Sequence, residues 1–142
     1  NSVMQMLKPG DPSSAYGAKD FWYDALNAPG ATQMVHLKKL MHSRPYFQRV
    51  PDQTLISENG ERYGYQVATR GEDYAFIYTY NANSIHAVLG KLNGTQVEAS
   101  WYDPRNGQSK TIGTFENKGV REFDPPGDPQ DGNDWVLIID SV

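Results

Sequence analysis

The sequence predicts a mainly β protein, an antiparallel β-sandwich of about seven to eight strands preceded by two short α-helices. Three observations carry that expectation. Apolar residues recur with a helical period up to about residue 42 and alternate with period 2 from residue 53 onward. The second stretch is punctuated by turn residues at short intervals, including the pairs Asn59-Gly60, Asn93-Gly94 and Asn106-Gly107. No helical segment separates those strands, which argues against a parallel α/β sheet.

Residues 1–17 hold Pro9-Gly10, Asp11-Pro12, Ser13-Ser14 and Gly17, so they read as loop after a few ordered residues at Val3–Leu7. A short helix is expected over Asp20–Asn27, with Phe21, Trp22, Ala25 and Leu26 available for burial, and Ala28-Pro29-Gly30 is expected to end it. A second helix is expected over Ala31–His42. Its apolar face is Met34, Val35, Leu37, Leu40 and Met41, and Arg44-Pro45 stops it because the residue before proline disfavours the helical region. Both helices are expected to pack on the sandwich or on a neighbouring chain. Residues 45–53 read as an extended linker.

Strands are expected at Thr54–Ser57, Tyr63–Thr69, Tyr74–Tyr80, Ser84–Leu89, Gln96–Tyr102, Ser109–Phe115, Gly119–Phe123 and Trp135–Asp140. The last is almost wholly apolar, which places it centrally and buried on both faces. The three Asn-Gly pairs are expected at the tips of tight turns, since both residues tolerate positive φ. Tyr63, Tyr65, Tyr74, Phe76, Tyr78 and Tyr80 alternate along two neighbouring runs. They form either an aromatic ladder able to stack sugar rings or part of the packing core.

The 142 residues suffice for one domain with a short appended piece, and a core can form without staples. There are no cysteines, which excludes disulfides and thiol chemistry. No apolar run approaches the ~20 residues of a membrane helix. Residues 1–50 carry net +3 and residues 51–142 net −7. The acidic part argues against a nucleic-acid partner, which demands clustered Lys and Arg. The chain opens on Asn1 without a leader pattern or an initiator methionine, so it reads as a piece of something longer.

Candidate chemistry is sparse. Asp124, Asp128, Asp131 and Asp134 offer four carboxylates that suit a structural Ca²⁺, but their spacing is not that of an EF-hand and a solvated acidic loop explains them as well. His36, His42 and His86 lack any triad-like arrangement, with His36 placed on the polar side of its helix. Catalytic residues are expected to be absent, as are cofactors. Trp101 and Tyr102, beside the Asp103–Gly107 turn, are the ligand-binding candidates for sugar stacking, set against a packing role.

Two stretches carry a family resemblance. One runs from Trp22-Tyr-Asp-Ala-Leu-Asn-Ala-Pro-Gly through Leu40 into Arg44-Pro45-Tyr46-Phe47 and Val50-Pro51-Asp52. The other joins Trp101-Tyr-Asp-Pro-Arg-Asn-Gly107 to Phe123-Asp-Pro-Pro-Gly127 and Asp134-Trp135-Val-Leu137. Together they resemble the C-terminal end of bacterial apiosidase-like (β/α)₈ glycoside hydrolases, where a last barrel helix leads into a β-sandwich labelled a collagen-binding domain of a collagenase. The resemblance implies that residues 1–52 are the end of a catalytic barrel plus linker and residues 53–142 the C-terminal sandwich. It implies a non-catalytic module that supports the barrel, since the family's catalytic acids lie upstream, and a secreted or periplasmic parent. Polysaccharide or collagen is the further partner implied. A stand-alone binding module for collagen or glycan is the alternative, and an independent hydrolase the third.

Overall fold

The computed structural model describes residues 21–142. The loop and ordered residues expected before Asp20, and Asp20 itself, lie outside the described residues. The elements run α1 (Trp22–Ala25), α2 (Pro29–His42), β1 (Val50–Pro51), β2 (Val67–Arg70), β3 (Tyr74–Thr79), β4 (Ile85–Leu89), β5 (Gln96–Asp103), β6 (Gln108–Glu116), β7 (Gly119–Phe123) and β8 (Trp135–Ser141). Among the described residues, three single turns of 3₁₀ helix, Tyr46–Gln48, Gln53–Leu55 and Arg62–Gly64, lie between α2 and β2. All strand pairs are antiparallel, in a six-stranded sheet of order β1-β2-β3-β8-β5-β6 and a two-stranded sheet β4-β7. The architecture is the expected sandwich with helices in front.

Pro29 does not end α1; it starts α2. Its ring fixes a helical φ and its missing N–H falls where a helix has no partner for one. Thr32 Oγ1 donates to the Pro29 carbonyl (2.8 Å) and Ser43 Oγ to the Leu40 carbonyl (2.7 Å), tying down both ends.

The inner face of the large sheet, turned toward β4-β7, is built of Ala68, Ala75, Ile77, Val97, Ala99, Trp101, Leu137 and Ile139. From the other side Leu55, Ile56, Ile85, Ala87, Leu89 and Phe123 close on it. The outer face carries a second cluster, Tyr74, Phe76, Tyr102, Val136 and Ile138, and α2 lays Leu40 and Met41 on it. Strand β8 therefore sits between β3 and β5 and is buried on both faces, as its apolar run implied.

Several local expectations are corrected. The run Thr54–Ser57 is not a strand. The Asp52 carboxylate accepts from Thr54 N (3.1 Å) and winds Gln53–Leu55 into a 3₁₀ turn, leaving only an isolated bridge from Ile56 to Ala87. The strand expected from Tyr63 begins at Val67, after the turn Arg62–Gly64, so Tyr63 and Tyr65 leave the ladder. Tyr74, Phe76 and Tyr78 remain, and they pack on the outer face under α2. Of the Asn-Gly pairs, Asn106-Gly107 tips the β5-β6 hairpin, with Gly107 at φ +75°. Asn93-Gly94 instead lies in the crossing from β4 in one sheet to β5 in the other. Asn59-Gly60 sits in a loop where the Asn59 amide clasps Gln66, accepting from its N (2.8 Å) and donating to its carbonyl (3.0 Å). A Cβ on Gly60 would stand 2.3 Å from the Gly64 carbonyl oxygen, so close backbone approach, rather than a hairpin, requires that glycine.

The apolar stripe of α2 is the largest correction. Leu40 is buried and Met41 half-buried, but Met34, Val35 and Leu37 are 56%, 50% and 43% exposed. His36, assigned to the polar side, faces the sheet: its carbonyl accepts from Tyr102 Oη (2.8 Å) and its ring lies against Gly107. Periodicity finds which residues are apolar. It does not say toward which neighbour they turn.

Candidate functional site

Two surfaces stand out, one on each side of the large sheet. On the outer side, the segment after α2 pins that helix down. Arg44 grips both carboxylate oxygens of Asp140 on β8, with Nε donating to Oδ1 at 2.9 Å, and this carboxylate is the main reason the Arg44 guanidinium is held above its ordinary value. Arg49 Nη2 donates to the Met41 carbonyl (3.0 Å) at the helix C-terminus, while its guanidinium lies 4.6 Å from the Phe76 ring centroid and 5.4 Å from that of Tyr74. Tyr74 Oη donates to the Pro45 carbonyl (2.8 Å). The helix is thus fastened to the sandwich while Met34, Val35 and Leu37, with Trp22 and Leu26 of the preceding segment, point away into solvent.

On the inner side the two sheets differ in width. Strand β7 meets β6 through Phe123 and Arg121 on Phe115, and past Phe123 the loop segment Asp124–Asp128 takes its place near Trp101 and Lys110. Between that loop and β6 runs a groove of about 610 Å³. Lys110, Thr111 and Ile112 form one wall, the stretch Asp124–Asp128 the other, and Trp101 the floor. The register pairs Lys110 with Trp101, so both side chains stand on the inner face. At this point the register slips: Ala99 pairs with Gly113 and Ser100 with Thr111, leaving Ile112 unpaired in a β-bulge.

The loop wall is fixed from behind by Asn133, itself only 9% exposed. Its Nδ2 donates to the carbonyls of Pro126 and Asp128 (both 3.1 Å), and its Oδ1 accepts from Arg105 Nη1 and Trp135 Nε1 (both 3.0 Å). Arg105 is held by Asp103 (2.7 Å) and lies 4.9 Å from the Trp135 ring centroid. Nearby, burial pushes the Asp134 carboxyl up from its ordinary value, and burial together with the Asp134 charge pushes the Tyr78 hydroxyl up to about 12.

The sequence candidates therefore separate. Trp101 is 4% exposed, its ring meeting Trp135 edge-on at 6.4 Å and presenting only part of its surface to the groove. Tyr102, its neighbour in the strand, is 5% exposed on the opposite face and bonded to His36. Asp124 and Asp128 stand at the groove, Asp131 is exposed on the loop beyond and Asp134 is half-buried toward Tyr78. Among the described residues no group of three or more His, Asp or Glu side chains converges as metal ligands. Arg44, Arg49, Lys110, Ile112 and Asn133 were not singled out from the sequence; isolated polar residues and a bulge carry no local signature.

Residues 50–140 match the family described as "Putative collagen-binding domain of a collagenase". The chain belongs to that family. Residues 1–48 match a second family, described as "Apiosidase-like, catalytic domain". Among solved structures, one named "Glycoside hydrolase" is 46% identical, superposes with a TM-score of 0.90, and aligns over 99% of this chain and 32% of its own. A glycoside hydrolase family 5 protein from Bacteroides vulgatus is 42% identical with a TM-score of 0.89, over 99% of this chain and 31% of its own. The chain thus spans about a third of the length of these structures. No curated protein matches it. No helix among the described residues is long and apolar enough to cross a membrane.

Proposed function

We propose that this chain is the closing, non-catalytic part of a glycoside hydrolase. In this reading residues 1–52 are the end of a (β/α)₈ catalytic barrel with its linker, and residues 53–142 are a sandwich that braces the barrel from the side. The observation that carries it is the outward apolar arc of α2, Met34, Val35 and Leu37, on a helix anchored to the sandwich by Arg44 and Arg49. Each such side chain, already about half covered, gains roughly 1 kcal/mol when the rest is buried, so a helix built this way is made to be covered on both sides. The partner is the upstream barrel, and the parent works outside the cytoplasm, where polymeric carbohydrate is met.

The test replaces Met34 and Leu37 together by Lys in the 142-residue chain and in the full-length parent. The chain should keep its stability within about 0.5 kcal/mol, because exposed positions are replaced. The parent should lose thermal stability and activity on aryl glycosides. A parent indifferent to the double change, or turnover of aryl glycosides by the 142-residue chain alone, sinks the reading.

A further inference from the structure

We infer that the groove between β6 and the Asp124–Asp128 loop is a binding site for a neutral oligosaccharide. The choice of carbohydrate rests on the reading of the chain as part of a glycoside hydrolase; the groove itself does not.

The groove exists for a structural reason: β7 covers β6 at Phe115 and ends at Phe123, and beyond it a loop rather than a strand faces Lys110–Ile112. The groups around it are matched to a sugar. Ile112 and the half-buried Pro126 at the sides, with the exposed edge of Trp101 on the floor, supply apolar surface for the C–H groups of a pyranose. The Asp124 and Asp128 carboxylates accept hydroxyl hydrogens, and Lys110 opposite can donate. Two carboxylates against one ammonium leave the groove net negative, which disfavours uronic acids and sulfated glycans. The wall is set in advance: prolines 125 and 126 limit its backbone, Gly127 takes φ +85°, and the two Asn133 bonds hold the carbonyls on either side of that glycine. A site held in its bound shape loses less entropy when the ligand arrives. The groove opens on the inner, inter-sheet side, whereas the apolar arc of α2 lies on the outer side, so a barrel seated on α2 leaves the groove open. This keeps Trp101 as a ligand contact through the part of its ring that meets the groove and gives Tyr102 to packing. It also makes Asp124 and Asp128 acceptors for hydroxyls rather than metal ligands.

The experiment is affinity electrophoresis of the 142-residue chain through gels containing xyloglucan, arabinoxylan, glucomannan or polygalacturonate, with a collagen-model peptide titrated in parallel. At least one neutral polysaccharide should retard the chain, and polygalacturonate should not. Ile112→Trp fills the groove from an exposed bulge position and Asp128→Asn removes a charged acceptor. Each should weaken retardation by about tenfold, the worth of roughly one good contact, with the melting temperature unchanged. The proposal is overturned if no neutral polysaccharide retards the chain, if Ile112→Trp binds as well as the wild type, or if the collagen peptide alone binds. A negative result here leaves the bracing role intact, because that role is read from the parent's stability.

Discussion

The two faces of the six-stranded sheet are closed in different ways. The inner face is lined mostly by small and aliphatic side chains, Ala68, Ala75, Ile77, Ala99 and Ile139, and the chain's own second sheet covers it. The outer face carries aromatics, Tyr74, Phe76 and Tyr102, whose hydroxyls and rings are engaged by the helical segment through Tyr74 to Pro45, Tyr102 to His36, and Arg44 and Arg49 over Phe76. Aliphatic packing is non-directional and closes a core. Hydroxyl and guanidinium contacts are directional and set one element at a fixed angle to another. The inner face makes the domain fold; the outer face sets the angle of α2.

That contrast is testable. Trp101→Ala on the inner face should have the largest effect, destabilising the whole domain by ~3–5 kcal/mol in urea denaturation, because a buried indole leaves a cavity that cannot collapse. Arg44→Ala on the outer face should cost about 1–2 kcal/mol, since it strips a half-buried Asp140 of both its charge-assisted bonds. Its signature should be local: amide exchange in α2 quickens while β3, β5 and β8 keep their protection. If Arg44→Ala and Trp101→Ala speed exchange everywhere alike, the two faces form a single cooperative unit and the division fails.

The smallest effect belongs to the sheet margin. The Asp52 carboxyl is held below its ordinary value first by the Thr54 bonds and then by Arg70 Nε at 2.7 Å. A carboxyl depressed in the folded state stabilises fully above its unfolded value, near 3.8, and this stabilisation is lost as pH falls through the lower folded value. Urea midpoints should therefore fall as the pH drops below about 4, and Asp52→Asn should flatten that slope without altering the difference between the two faces.

Much of this is legible in the sequence. Period-2 alternation located β3 to β8, and the apolar run of β8 announced its central place. What failed were readings that depend on which surface comes next. Trp101 and Tyr102 are adjacent, so one must face the inter-sheet core and the other α2, yet nothing local says which. Met34, Val35 and Leu37 have the periodicity of a core stripe, yet they stay exposed. Asn59-Gly60 has the composition of a hairpin tip, but the Asn59 side chain finds Gln66 and makes a closed loop instead.

The bulge at Ile112 also bears on how copies of this protein behave when crowded. An open sheet ends in two rows of unpaired backbone groups, and such rows zip onto one another in aggregates. Here each margin is spoiled. The outermost strand on one side, β1, is two residues long and contains Pro51, which has no N–H to offer. On the other side β6 is nine residues long, but the unpaired Ile112 breaks its line halfway and Lys110 sets a charge beside the break. An approaching strand could match only a few consecutive groups before losing register. A domain that exposes a nine-residue strand at its edge thereby resists becoming the seed of a fibril.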